Sequence, residues 1–265
     1  MKTSSLAGEK YPKRLTIILI SVYLSFVELA CAQESKINTE YLSGKYNPAK
    51  IASFKIVPPE YASQENLYLH QEALHAFIRM SEEAKKAGFS IYVISATRDF
   101  NSQKYIWESK FNGSRLVEGK NLKATIPDEK KRTLKILDYS SMPGTSRHHW
   151  GTDIDIGYSR NAAGMLTNQA YESGEGLRFY LWLEENAARF GYCQPYKNSP
   201  ERRNKRKMRG YQEEKWHWSY KPLAVTYWRQ YKENSDKLTP LGFAGSKSGQ
   251  EVYLDYVQNI HEDCQ

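Results

Sequence analysis

Within the stretch SRHHWGTDIDIG (residues 146–157), His148 and Asp155 stand seven positions apart with Gly151 between them. The following TDIDIGY alternates polar and apolar residues, the pattern of a strand with Asp153 and Asp155 on one face. Were 148–155 extended throughout, the odd spacing would send His148 and Asp155 to opposite faces. A turn at Gly151 removes that conflict, because a residue without a Cβ turns sharply at little cost. The glycine is therefore what lets the imidazole and the carboxylate converge, with the chain continuing as a strand. Taken alone, a strand histidine or aspartate is more often structural than a ligand. Downstream, however, EEKWHW supplies His217 with Glu214 three residues ahead of it. Two imidazoles and one carboxylate, with a coordination position left open, form the donor set of a catalytic zinc site rather than a closed structural one. A second carboxylate beside the open position can serve as general base.

The flanking sequence predicts an α+β domain with a central antiparallel sheet flanked by helices. QENLYLHQEALHAFIRMSEEAKK (64–86) has helical spacing, with Ser63 as N-cap and Gly88 as stop. FSIYVISA (89–96) reads as a buried strand, and 101–111 as a helix begun by Asp99 or Asn101. Residues 112–143, charged and without a clear period, read as a long surface loop or small insertion. A helix is expected at 174–192, a strand at 214–220, and helical stretches near 222–234 and 250–261. In the last strand Trp216 and Trp218 are expected to face the core, with His217 on the other side. The run RRNKRK (202–207) reads as a solvated basic loop, with attraction to anionic wall polymers as its functional alternative.

The amino terminus predicts export. Lys2, Lys10, Lys13 and Arg14 precede the apolar run LTIILISVYLSFVELACA, and Ala30 and Ala32 fit a signal-peptidase site. The run falls short of the roughly 20 residues of a spanning helix, and Glu28 interrupts it, so no transmembrane helix remains after cleavage. A competing reading makes Cys31 a lipidated residue, against which Glu28 stands at an expected apolar position. The expected organisation is a signal peptide at 1–32, an extended lead-in at 33–62, and one catalytic domain with a helical tail at 63–265. Loss of the leader removes four basic and two acidic residues, taking the net charge from +8 to +6. That charge suits anionic surroundings, while export and the clustered ligand residues speak against a nucleic-acid partner. Cys193 and Cys264 remain as an even pair in an oxidising compartment and read as a disulfide.

Ser146-x-His148-x-x-Gly151-x-x-x-Asp155, followed by Glu214-x-Trp216-His217, resembles the signature of the zinc D-alanyl-D-alanine carboxypeptidases and dipeptidases, the VanY-like peptidases of the LAS group. The match runs from about residue 63 to 221, with its blocks in order. It implies the hedgehog/DD-peptidase-like fold, zinc held by His148, Asp155 and His217, and Glu214 as the catalytic base. In ISATRDFNSQ, Arg98 and Gln103 match a further block of the family. Arg98 is thereby implied to clamp the peptide's terminal carboxylate and to stabilise charge at the scissile bond, and Ser146 to touch substrate. Two departures stand out. Asp153 occupies a position that is alanine in many members, and Lys215 follows Glu214 where proline is common. Asp153 is expected either to shift specificity or to hydrogen-bond a ligand histidine. His149 is not expected to join His148 on the same ion. The implied activity is hydrolysis of the terminal D-alanine from peptidoglycan stem peptides. An endopeptidase or dipeptidase on the same site is the alternative within the enzyme class, and a non-catalytic wall-binding homologue the alternative outside it.

Overall fold

In the computed structural model, residues 38–204 and 209–265 are described. The expected leader at 1–32, with Cys31, and residues 205–207 of the basic run lie outside the described residues. The two alternating segments pair with each other. β4 (Asp153–Gly157) and β6 (His217–Tyr220) run antiparallel in the middle of a four-stranded sheet, between β3 (Tyr92–Ser95) and β5 (Tyr192–Cys193), in the order β3–β4–β6–β5. All neighbours are antiparallel, as the alternation predicts. The register sets Asp153 opposite Ser219, Ile154 opposite Trp218 and Asp155 opposite His217.

This register sorts chemistry by face. Ile154, Ile156, Val93 and Trp218 face α2 (Gln71–Lys86) and α6 (Gly174–Asn186), against Phe77, Met80, Phe179 and Leu183. Trp218 is buried there as expected, whereas Trp216 is only partly buried. A second apolar cluster joins Trp107 of α3 (Phe100–Asn112), Trp150, and Tyr227 and Tyr231 of α7 (Lys221–Glu233). Asp153, Asp155, His217 and Ser219 are buried as well, although they alternate with the apolar residues of their strands. Polar groups sealed this way need partners.

Several local expectations give way to tertiary pairing. The helix expected from residue 64 begins only at Gln71, because Tyr68–His70 (β2) pairs with Phe54–Ile56 (β1) and buries Leu69 completely. Segment 33–62 is not an extended lead-in from residue 38 onward. It carries α1 (Thr39–Leu42), capped by Asn38, and β1, and it buries Leu42 and Phe54. Tyr41 Oη donates to Trp150 O at 2.8 Å and Tyr46 Oη to His149 O, so the segment braces the loop of the opening motif. The expected surface loop at 112–143 contains α4 (Leu122–Thr125) and α5 (Glu129–Leu137), capped by Asn121 and Asp128. Their buried residues are Leu122, Arg132, Thr133, Ile136 and Leu137, of which only Leu122, Ile136 and Leu137 are apolar, too few to register as periodicity in a charged background. The expected strand at 214–220 is reduced to His217–Tyr220. Arg202 is not solvated; it is buried and donates to Asn259 O at 3.2 Å and to Tyr211 O. Cys193 and Cys264 form the expected disulfide, tying the C-terminal tail to β5 across 71 residues. Among the described residues no helix is long and apolar enough to cross a membrane.

Gly151 closes the 3-10 turn Arg147–Trp150 in the left-handed conformation, at φ +72°. A Cβ there would lie 2.4 Å from the Phe54 ring. Gly151→Ala therefore combines left-handed strain of roughly 1–2 kcal/mol with displacement of a buried aromatic ring. Urea unfolding should show a loss of at least about 2 kcal/mol; a stability unchanged within error would contradict this account.

Candidate metal centre

Three elements converge on one point. His148 comes from the 3-10 turn, whose start is capped by Ser146 Oγ accepting from His148 N–H at 3.3 Å. Asp155 comes from β4, and His217 from the paired position on β6. His148 Nε2 and His217 Nδ1 are 3.3 Å apart, His148 Nε2 and Asp155 Oδ1 3.4 Å, and His217 Nδ1 and Asp155 Oδ1 3.1 Å. The edges of a tetrahedron whose vertices lie about 2.0–2.1 Å from its centre are about 3.3 Å long, so the triangle has the dimensions of three zinc ligands. Asp155 Oδ1 is buried and accepts no hydrogen bond, a costly state that a cation at the centre of the triangle removes. The residues present therefore fit a divalent metal ion.

Each imidazole has its outer nitrogen anchored. His148 Nδ1 lies 2.7 Å from Ala96 O, an acceptor only, so this nitrogen carries the proton and Nε2 keeps its lone pair for the site. His217 Nε2 lies 2.9 Å from Asp153 Oδ2, which leaves Nδ1 facing inward. Asp153 therefore binds a ligand histidine, one of the two roles expected of it. Asp153 Oδ2 also accepts from Arg147 Nε at 2.8 Å, and its Oδ1 accepts from Thr152 Oγ1 at 2.7 Å and Ser219 Oγ at 2.8 Å. Arg147 Nη2 completes the ring by donating to Ser219 Oγ at 2.7 Å. Burial alone would raise the Asp153 carboxyl, but the Arg147 guanidinium and the His217 N–H hold it below the usual carboxylate range. Asp155 is likewise held well below that range against burial, by His148 and His217. His149 is spent elsewhere, with Nδ1 donating to Arg98 O at 2.6 Å and Nε2 accepting from Gly144 N–H at 3.0 Å. It takes no part in the triangle.

Glu214 sits at the edge of the triangle, its Oε2 3.4 Å from His217 Nδ1. Burial pushes its carboxyl up to about 7 despite the opposing pull of His217. The centre opens into a cavity of about 670 Å³ that is also lined by Arg98, Gln103 and Ser146. Arg98 Nε is buried without a partner, and its guanidinium is otherwise half-buried in the cavity wall. Gln103 Nε2 donates to Ser141 O at 2.7 Å, so the atom it offers the cavity is the buried, unpartnered acceptor Oε1. All seven residues expected at the site thus line one cavity. Arg147, Ser219 and Lys110 were not singled out from sequence. Ser219 lies two residues from His217 on the same strand, so the period of two places it on the same face. Arg147 stands beside His148 with no periodic signal of its own, and Lys110 lies two helical turns from Gln103.

A family profile described as "VanY: D-alanyl-D-alanine carboxypeptidase" matches residues 66–223. The putative carboxypeptidase YodJ of Bacillus subtilis (strain 168) is 26% identical over 189 residues, which is 69% of this chain and 58% of that protein. A D-alanyl-D-alanine carboxypeptidase of Enterococcus faecium is 28% identical over 156 residues, covering 58% of this chain and 38% of that protein. The chain thus spans little more than half the length of the first of these relatives and less of the second. Among solved structures, the LdcB LD-carboxypeptidase is similar over 79% of this chain and 81% of its own, at 21% identity and a TM-score of 0.48.

Asp153→Ala removes the acceptor that orients His217, and metal affinity should fall about 10–100-fold in chelator competition. The same change strands the Arg147 charge and should cost stability as well. Asp153→Ala combined with Arg147→Met should regain much of that stability while metal affinity stays low. Unchanged affinity in both variants would rule out the orienting role.

Proposed function

The chain belongs to the VanY family of D-alanyl-D-alanine carboxypeptidases, and we propose on that premise that it is an exported, zinc-dependent D,D-carboxypeptidase. Its substrate is the peptidoglycan stem peptide, from which it removes the terminal D-alanine. The observation that carries this reading is the His148–Asp155–His217 triangle with the Glu214 carboxylate at its edge and Arg98 in the same cavity. Held by those three ligands, zinc supplies Lewis acidity to water and to the scissile carbonyl.

The remaining work falls to the protein's own side chains. Glu214 takes the proton from the attacking water onto its carboxylate and returns it to the nitrogen of the leaving amine. Arg98 receives the terminal carboxylate, for which a planar guanidinium offers two parallel N–H donors, and adds positive charge near the scissile carbonyl. Gln103 presents an acceptor and so suits a peptide N–H. Ser146 already accepts from His148 N–H, and its own hydroxyl hydrogen is left for substrate. The basic leader with its apolar run, the Cys193–Cys264 bridge and the net positive charge all suit an oxidising, wall-facing compartment. Attraction to anionic wall polymers would concentrate the enzyme there.

Glu214→Gln should lower kcat by at least about 100-fold with the zinc content of the protein unchanged. Full activity in that variant would remove Glu214 as the base. Zinc-loaded wild-type protein incubated with purified muropeptides should release single alanine, detected by mass. Release of a dipeptide would instead identify a dipeptidase, and split cross-links an endopeptidase.

A further inference from the structure

Three cations line the cavity that holds the metal centre: Arg98, Lys110 and Arg115. Among the described residues, none of them has a carboxylate within 4.0 Å. Lys110 is the unusual one, being only 9% exposed. Its Nζ donates to Ser140 Oγ at 2.6 Å and to Tyr139 O at 3.3 Å, both neutral groups, and a third N–H remains. An ammonium buried without a counter-ion is costly to hold, and burial together with Arg115 pushes Lys110 down to about 8. The acids of the cavity are committed elsewhere. Asp155 and Glu214 belong to the metal centre, Glu118 pairs with Lys135 at 2.6 Å, and Glu213 Oε1 accepts from Asn198 N–H at 3.1 Å.

A divalent ion balances Asp155 and Glu214, which leaves three positive charges lining the cavity against the single carboxylate of Glu213. The C-terminal carboxylate of a peptide answers one of them. Gln103 and Lys110 share a face of α3 two turns apart, about 10 Å along the helix axis. An extended peptide covers that distance in about three residues.

We propose that Lys110, reinforced by Arg115, forms a second anion subsite, so that the cavity takes diacidic peptides. The C-terminal carboxylate lies at Arg98, and a side-chain carboxylate from the acyl side of the scissile bond lies at Lys110. The orientation of the peptide rests on the carboxypeptidase reading given above; the anion subsite itself does not.

The test uses zinc-loaded Glu214→Gln protein, so that binding is measured without turnover. Calorimetry compares acetyl-Glu-D-Ala-D-Ala with its carboxamide twin acetyl-Gln-D-Ala-D-Ala. A charge-assisted contact with the buried Lys110 predicts that the glutamate peptide binds about tenfold tighter. Adding Lys110→Met should bring the two within about twofold of each other, and Lys110→Arg should restore most of the difference. Arg115→Gln, at an exposed position that threatens no packing, should reduce the preference about threefold. Equal affinities with Lys110 in place, or a preference that survives Lys110→Met, would overturn the proposal. Turnover of either peptide by the wild-type protein is scored separately. Selective binding without cleavage would refute the peptidase reading and leave the anion subsite standing.

Discussion

Everything at the metal centre depends on the antiparallel pairing of β4 with β6 in a single register. Asp155 meets His217 and Asp153 meets Ser219 across that pair. Because side chains alternate along a strand, a slip of one residue would turn the polar groups of the slipping strand into the apolar cluster and bring its apolar residues, Ile154 and Ile156 or Trp218, to the site. The apolar face therefore enforces the polar one. Burial of Ile154 and Ile156 against α2 and α6 is the driving force, and the alignment of ligands follows from it.

The cost of burying two aspartates and a histidine is met by a closed network. Arg147, Thr152, Ser219 and His217 together occupy both oxygens of Asp153, whereas Asp155 keeps one oxygen without a donor. The contrast divides the roles. Asp153 is a saturated anchor that orients an imidazole through its far nitrogen. Asp155, the unsaturated member of the candidate triangle, keeps an oxygen in reserve for a cation. The side chains that carry the metal chemistry are held from behind, by Ala96 O for His148 and by Asp153 for His217, so their inward nitrogens need not reorganise when an ion arrives.

The amino-terminal residues from 38 onward belong to the same construction. Tyr41 and Tyr46 donate to the carbonyls of Trp150 and His149, and Phe54 lies where a Cβ on Gly151 would be. The turn that delivers His148 is thus clamped on its outer side by a segment whose polar, Pro-containing sequence suggests only an extended lead. Such clamps are invisible in a linear reading because the partners lie roughly a hundred residues apart, and neither end has a period of its own.

The opening motif, the EKWHW segment and the alternation in both were legible without coordinates, and so were the grouping of His148, Asp155 and His217 with Glu214 beside them, the antiparallel sheet and the cysteine pair. These are properties of residue type and spacing: a strand period of two, a glycine where the backbone must turn left-handed, and two cysteines outside the expected leader that holds Cys31. The helices at 122–125 and 129–137, the late start of α2, the buried Arg202 and the Arg147–Asp153–Ser219 ring were decided only by tertiary structure. Each depends on a partner distant in the chain supplying burial or a hydrogen bond, and that energy overrides weak local preference. Local spacing determines which side chains can share a face; packing between remote segments determines which of them meet.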